Sequence, residues 1–144
     1  MIEQDTVRLL RECDAGIKMG ISAIDEVLDY TSDTNLKNKL VDSKDKHIQL
    51  KSEMQGLLHK YHDDGKDPTL MAKGMSWVKT NVKLTIDNSD SAIADLITDG
   101  CNMGVKNLEK YLNQYQMANE KSKNITKKLI NLEQNLALDI KKYL

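Results

Sequence analysis

Only one proline, Pro68, interrupts this sequence, and it carries just two cysteines, Cys13 and Cys101. Helix interiors exclude proline, so the long stretches on either side are free to be helical. Two cysteines in a chain without an export signal read as free thiols and not as a disulfide framework. Apolar residues nowhere approach the roughly 20 in a row that a membrane span requires. Met1 opens into Ile2-Glu3-Gln4-Asp5 instead of a signal peptide, so the expected location is cytoplasmic. A dominant charge is missing too. The chain has 21 Lys and Arg against 22 Asp and Glu, which leaves no broad field to draw nucleic acid or an anionic membrane. The basic run 121–128 reads as one polar helix face. A nucleophile elbow, a phosphate loop, zinc-type cysteine spacing and a Ser/His/Asp set are all absent.

What is present is helical periodicity. With 144 residues, 40% apolar and 30% charged, the chain suits one domain with a continuous core. Leu10, Ile17, Ile21, Ile24 and Leu28 recur in steps of three, four and seven, which predicts a first helix over about 2–30. The cluster Thr31-Ser32-Asp33-Thr34 supplies a turn and an N-cap. A second stripe follows through Leu36, Leu40, His47, Leu50, Met54, Leu57 and Tyr61, ending near His62 with Gly65 available as the stop. Asp67-Pro68 is a helix-start signature for a shorter segment, 69–86, carrying Leu70, Met71, Trp77, Val78 and Leu84. Asn88-Ser89-Asp90 caps a third long helix with the stripe Ile93, Ile97, Cys101, Val105, Leu108, Leu112 and Tyr115. After a turn near 117–119, a fourth carries Ile125, Leu129, Leu132, Leu136, Ile140 and Tyr143. The expected fold is all-α: one domain over 1–144, with a hairpin over about 2–64, a crossover over about 67–87 and a second hairpin over about 88–144. A crossover of that length can return the chain along the bundle, so the expected order is up-down-down-up.

The halves echo each other. Cys13-Asp14-Ala15-Gly16-Ile17-Lys18 is matched by Cys101-Asn102-Met103-Gly104-Val105-Lys106, and Leu58-His59-Lys60-Tyr61 by Ile140-Lys141-Lys142-Tyr143. Two copies are too few for a solenoid and point to a pseudo-twofold bundle. With the Gly74-Met75-Ser76-Trp77 crossover between the hairpins, the chain resembles the ferritin-like superfamily, in particular a rubrerythrin-related bacterial branch of unassigned function. That resemblance implies a dimetal centre built from a Glu on the first helix of each hairpin and a Glu-x-x-His pair on the second. Position by position, Ile17 and Val105 stand where the first-helix glutamates would be. Lys44-x-x-His47 and Thr126-x-x-Leu129 replace the two pairs, so His47 alone remains.

Two hard cations need several carboxylate oxygens, so iron or manganese chemistry is disfavoured. The alternative, a divergent iron or manganese site, would recruit acidic residues within one turn, with His47, Asp14, Asp45 and Asp99 as the ligands and Glu12, Glu53 and Glu109 also within reach. A buried His47 would otherwise need an acceptor such as Asp14 or a backbone carbonyl. His59 and His62 lack a third ligand and read as end-of-helix polar residues. Cys13 and Cys101 read as small buried hydrophobes or, as a further alternative, as a redox pair. The methionines Met19, Met54, Met75 and Met103 read as core fillers, Gly16 and Gly104 as sites of close helix approach or of tolerance on the water side, and Trp77 as the anchor of the crossover. The leading expectation is a non-enzymatic bundle acting through protein association, as a homo-oligomer or with another protein, with no cofactor.

Overall fold

The computed structural model describes residues 2–69, 77–80 and 87–144. Among these, four long helices and one short one account for the regular structure: α1 (Ile2–Leu28), α2 (Thr34–His59), α3 (Trp77–Thr80), α4 (Asp90–Gln114) and α5 (Glu120–Ile140), with a closing 3-10 turn over Lys141–Tyr143. The result is an all-α four-helix bundle. No helix among the described residues is long and apolar enough to cross a membrane.

Three of the helices start where a short polar side chain can satisfy first-turn N–H groups that have no partner within the helix. Leu36 N–H donates to Asp33 at 2.9 Å ahead of α2, Ala92 N–H to Ser89 at 3.2 Å ahead of α4, and Ser122 N–H to Asn119 at 2.9 Å ahead of α5. The end of α2 departs from expectation. His62, with φ of 57°, is the left-handed residue there; its N–H donates to His59 O and Asp63 N–H donates to Leu58 O, closing a Schellman-type stop. Gly65, also left-handed at φ 93°, has a different task. It brings the backbone against Asp14, whose Oδ2 accepts from Lys66 N–H at 3.0 Å, and so ties the start of the crossover to the middle of α1.

The loops fix the helix directions. At one end of the bundle, Asp90 at the start of α4 accepts from Ser32 and Asp33 N–H at the start of α2 (2.9 and 3.0 Å). Tyr143, just after α5, donates to Asp33 at 3.1 Å. At the other end, Asp5 and Thr6 of α1 accept from Met117 and Asn119 N–H in the α4–α5 turn, at 3.0 and 2.8 Å. Thus α1 and α5 run one way, and α2 and α4 run the other.

The core has two apolar sections. One holds Ile24, Val27, Leu36, Leu40, Ile93, Ile97 and Leu136; the other holds Leu10, Ile17, Met54, Leu58, Leu108, Ile125 and Leu129. A Leu→Ala change in either should cost about 2–5 kcal/mol. Trp77 packs on the first section, its ring against Gly100, where a Cβ would lie only 3.1 Å away. The remaining crossover residues of the sequence reading, including Leu70, Met71, Gly74, Met75, Ser76 and Leu84, lie outside the described residues.

Candidate functional site

Where the two apolar sections meet, the bundle interior is polar. His47 of α2 is fully buried, and its Nε2 lies 2.7 Å from Oε1 of Glu133 on α5. Its Nδ1 lies 2.7 Å from the Ser43 carbonyl, which can only accept, so Nδ1 carries a proton. One further proton lies between Nε2 and Oε1. Burial pulls the imidazole pKa down, but the bond to Glu133, its negative charge and the Ser43 carbonyl together raise it above the ordinary value. The contact with Glu133 thus favours the protonated form of the imidazole. Cys101 of α4 adjoins Glu133, and burial, the carboxylate charge and a hydrogen bond to it all push its thiol pKa upward. Cys101 is a neutral donor, not a nucleophile.

Glycines frame this pair. A Cβ on Gly20 of α1 would lie 2.8 Å from His47 Nε2 and 3.4 Å from Glu133 Oε1, whereas one on Gly104 of α4 would lie 3.8 Å from Glu133 Oε2. Gly16 and Gly20 on α1, and Gly100 and Gly104 on α4, repeat at four-residue spacing and so share a helix face. All four line a cavity of about 280 Å³ between these helices. Gly16 and Gly104, read from the sequence as allowing close helix approach or water-side tolerance, here border a space. Its apolar walls include Met19, Ile97, Leu108, Leu129 and Trp77; His47 and Glu133 are its inner polar groups, and Lys66 with its ion-pair partner Glu12 lies further along.

The other residues singled out in the sequence lie elsewhere. Gly20, not Asp14, is the α1 residue against His47. Asp14 is fully buried but committed to the Lys18 ammonium at 2.8 Å and to Lys66 N–H. Burial lowers the Lys18 pKa, but bonds to Asp14 and Asp67 raise it overall, so the ammonium is retained. Asp45 and Asp99 are exposed, as are His59 and His62. Among the described residues, no three His, Cys, Asp or Glu side chains are arranged to hold a metal ion. The donors around His47 do not fit a pair of hard cations, because one carboxylate already bonded to an imidazole offers too few oxygens.

Cys13 and Cys101 belong to different core sections. Thr126 gives its hydroxyl hydrogen to Ser122 O at 2.8 Å, so the Cys13 thiol donates to Thr126 Oγ1 at 2.9 Å. Thr126 and Glu133, which mark the two thiols on α5, are separated by about 10 Å of helix rise. Burial pushes the Cys13 pKa up to about 12, against the Thr126 bond and with the Glu12 and Asp14 charges adding to the rise. Met54 is buried, Met19 lines the cavity, Met103 is 39% exposed and Met75 lies outside the described residues.

Glu133 is the residue the sequence reading passed over. It lies four residues beyond Leu129 and three before Leu136, within the inward register of α5, and that spacing was its signal. The chain matches no protein-family model, no curated protein and no solved structure.

Proposed function

We propose that this chain is a ferritin-like, up-down-down-up bundle that acts without dimetal chemistry, by holding a small, largely apolar molecule between α1 and α4. The observation that carries this reading is the cavity itself. It is apolar-walled, contains a few convergent polar groups, and is bordered by four helical glycines. Each such glycine costs a helix interior about 1 kcal/mol relative to alanine, so the space is held open against the local preference for helix-forming side chains. The shared end of α2 and α4 and the pinned start of the crossover support the ferritin-like order.

The uncharged fluorophore N-phenyl-1-naphthylamine tests the reading. The expected result is saturable, one-to-one enhancement of its fluorescence that disappears in Gly104→Leu, a variant whose side chain enters the cavity. No saturable binding, or binding that Gly104→Leu leaves unchanged, overturns the proposal.

Association of the chain with itself is a second reading. Val41 and Ile48, 38% and 45% exposed, lie seven residues apart on one face of α2. Sedimentation velocity should then show a concentration-dependent dimer that Val41→Lys/Ile48→Lys dissolves; a monomer at every concentration removes this reading.

A further inference from the structure

The charges along the cavity restrict what it can hold. Among the described lining residues the charged groups are four, and each has a partner of opposite sign: His47 with Glu133 within the bundle, and Lys66 with Glu12. An organic cation or anion entering would give up its hydration without finding an uncompensated counter-charge. A carboxylate would in addition face Glu133, which bonds His47 through Oε1 and accepts from the Cys101 thiol, and whose Oε2 lies toward the Gly104 position that lines the cavity. That oxygen accepts hydrogen bonds and cannot donate them.

The lining is also long. It runs from Glu12 to Ile24 on α1 and from Ile97 to Tyr111 on α4, about 18 to 21 Å at the rise of a helix. The polar layer falls partway along, with apolar residues on both sides: Ile24, Ile97 and Leu136 beyond it, Ala15, Leu108 and Leu129 before it.

We infer that the ligand is an uncharged, elongated amphiphile with one hydrogen-bond donor, of the class of a long-chain alcohol, and that Glu133 Oε2 accepts a hydrogen bond from its hydroxyl group. This rests on the cavity reading proposed above and adds the chemistry of the head group. His47 has a positioning role: held by the Ser43 carbonyl, it fixes Oε1 and leaves Oε2 turned to the ligand. The Gly104 position contributes by lacking a side chain, which leaves the approach to Oε2 open.

Trp77, the only tryptophan in the chain, lines the cavity and reports occupancy directly. Its fluorescence is followed while 1-decanol, 1-methoxydecane, decylamine and decanoate are titrated into the intact chain below their aggregation concentrations. The expected result is saturable binding of 1-decanol at least tenfold tighter than each of the other three. Replacing the pair together, His47→Leu/Glu133→Leu, should erase the advantage of the alcohol over its methyl ether.

Equal affinity for 1-decanol and 1-methoxydecane overturns the donor inference while leaving the cavity reading intact. Tighter binding of decylamine or decanoate overturns the charge argument. Failure of all four to bind overturns the cavity reading itself. The comparison among ligands needs no variant, so it stands even if the double replacement fails to fold.

Discussion

Adding one methyl group at Gly20 and at Gly104 should move stability in opposite directions, although both glycines lie in helix interiors on the same cavity. Alanine is better than glycine in a helix by about 1 kcal/mol, and that gain applies equally at both sites. At Gly104 the new Cβ meets Glu133 Oε2 at 3.8 Å, an ordinary contact, so the gain stands. At Gly20 it would lie 2.8 Å from His47 Nε2 and 3.0 Å from Cδ2, too close to be tolerated in place. The imidazole cannot shift freely, because Ser43 O and Glu133 hold it from two sides at 2.7 Å. Parting a buried ion pair costs about 3–5 kcal/mol, so Gly20→Ala should be destabilised by about 2–4 kcal/mol after the helix gain is subtracted. For a chain of this size, about 3–4 °C in Tm corresponds to each kcal/mol. Thermal melts followed by circular dichroism should show Gly104→Ala up by about 3 °C and Gly20→Ala down by about 10 °C. Shifts of the same sign would refute the placement of His47 beneath Gly20.

Further consequences follow from the same contacts. The raised His47 pKa means that its stabilising contribution is complete below the ordinary imidazole value of 6.5 and fades as pH rises through the higher folded-state value. Urea unfolding should therefore give a larger free energy at pH 6 than at pH 9, and this difference should shrink in the His47→Leu/Glu133→Leu variant. Both thiols, buried and with raised pKa values, should react with Ellman's reagent at pH 8 only as fast as the bundle opens; immediate reaction of either would contradict its burial. Gly65→Ala should lower stability by at least about 1–3 kcal/mol, because it requires a left-handed alanine and drives its Cβ into the Asp14 carboxylate; an unchanged urea midpoint would contradict that loop geometry.

The helix framework was legible because its signals are local. Asp33 and Ser89 cap helices within the polar clusters that predict them, Asn119 adds a cap at the expected turn, and the apolar stripes face inward as their spacing implies. The interior site was only half legible. His47 stands out as a lone imidazole on an apolar stripe, but its partner is 86 residues away and sits among the Glu, Gln and Asn residues of α5. The resemblance drew attention to Thr126 and Leu129, two turns and one turn short of Glu133. The stop of α2 falls on His62 and not on Gly65 because a stop in the left-handed region depends on φ, which residue type indicates only on average. Glycine carries no sign of whether it brings two helices together or leaves room between them; the α1–α4 cavity is a property of the packed bundle.

The glycine amides give the most direct access to that cavity. In a nitrogen-15 correlation spectrum, N-phenyl-1-naphthylamine should shift the signals of Gly16, Gly20, Gly100 and Gly104 together and saturably, while Gly56, which has open space around it, stays in place. Uniform small shifts across all glycines, or none at the four cavity positions, would contradict the account.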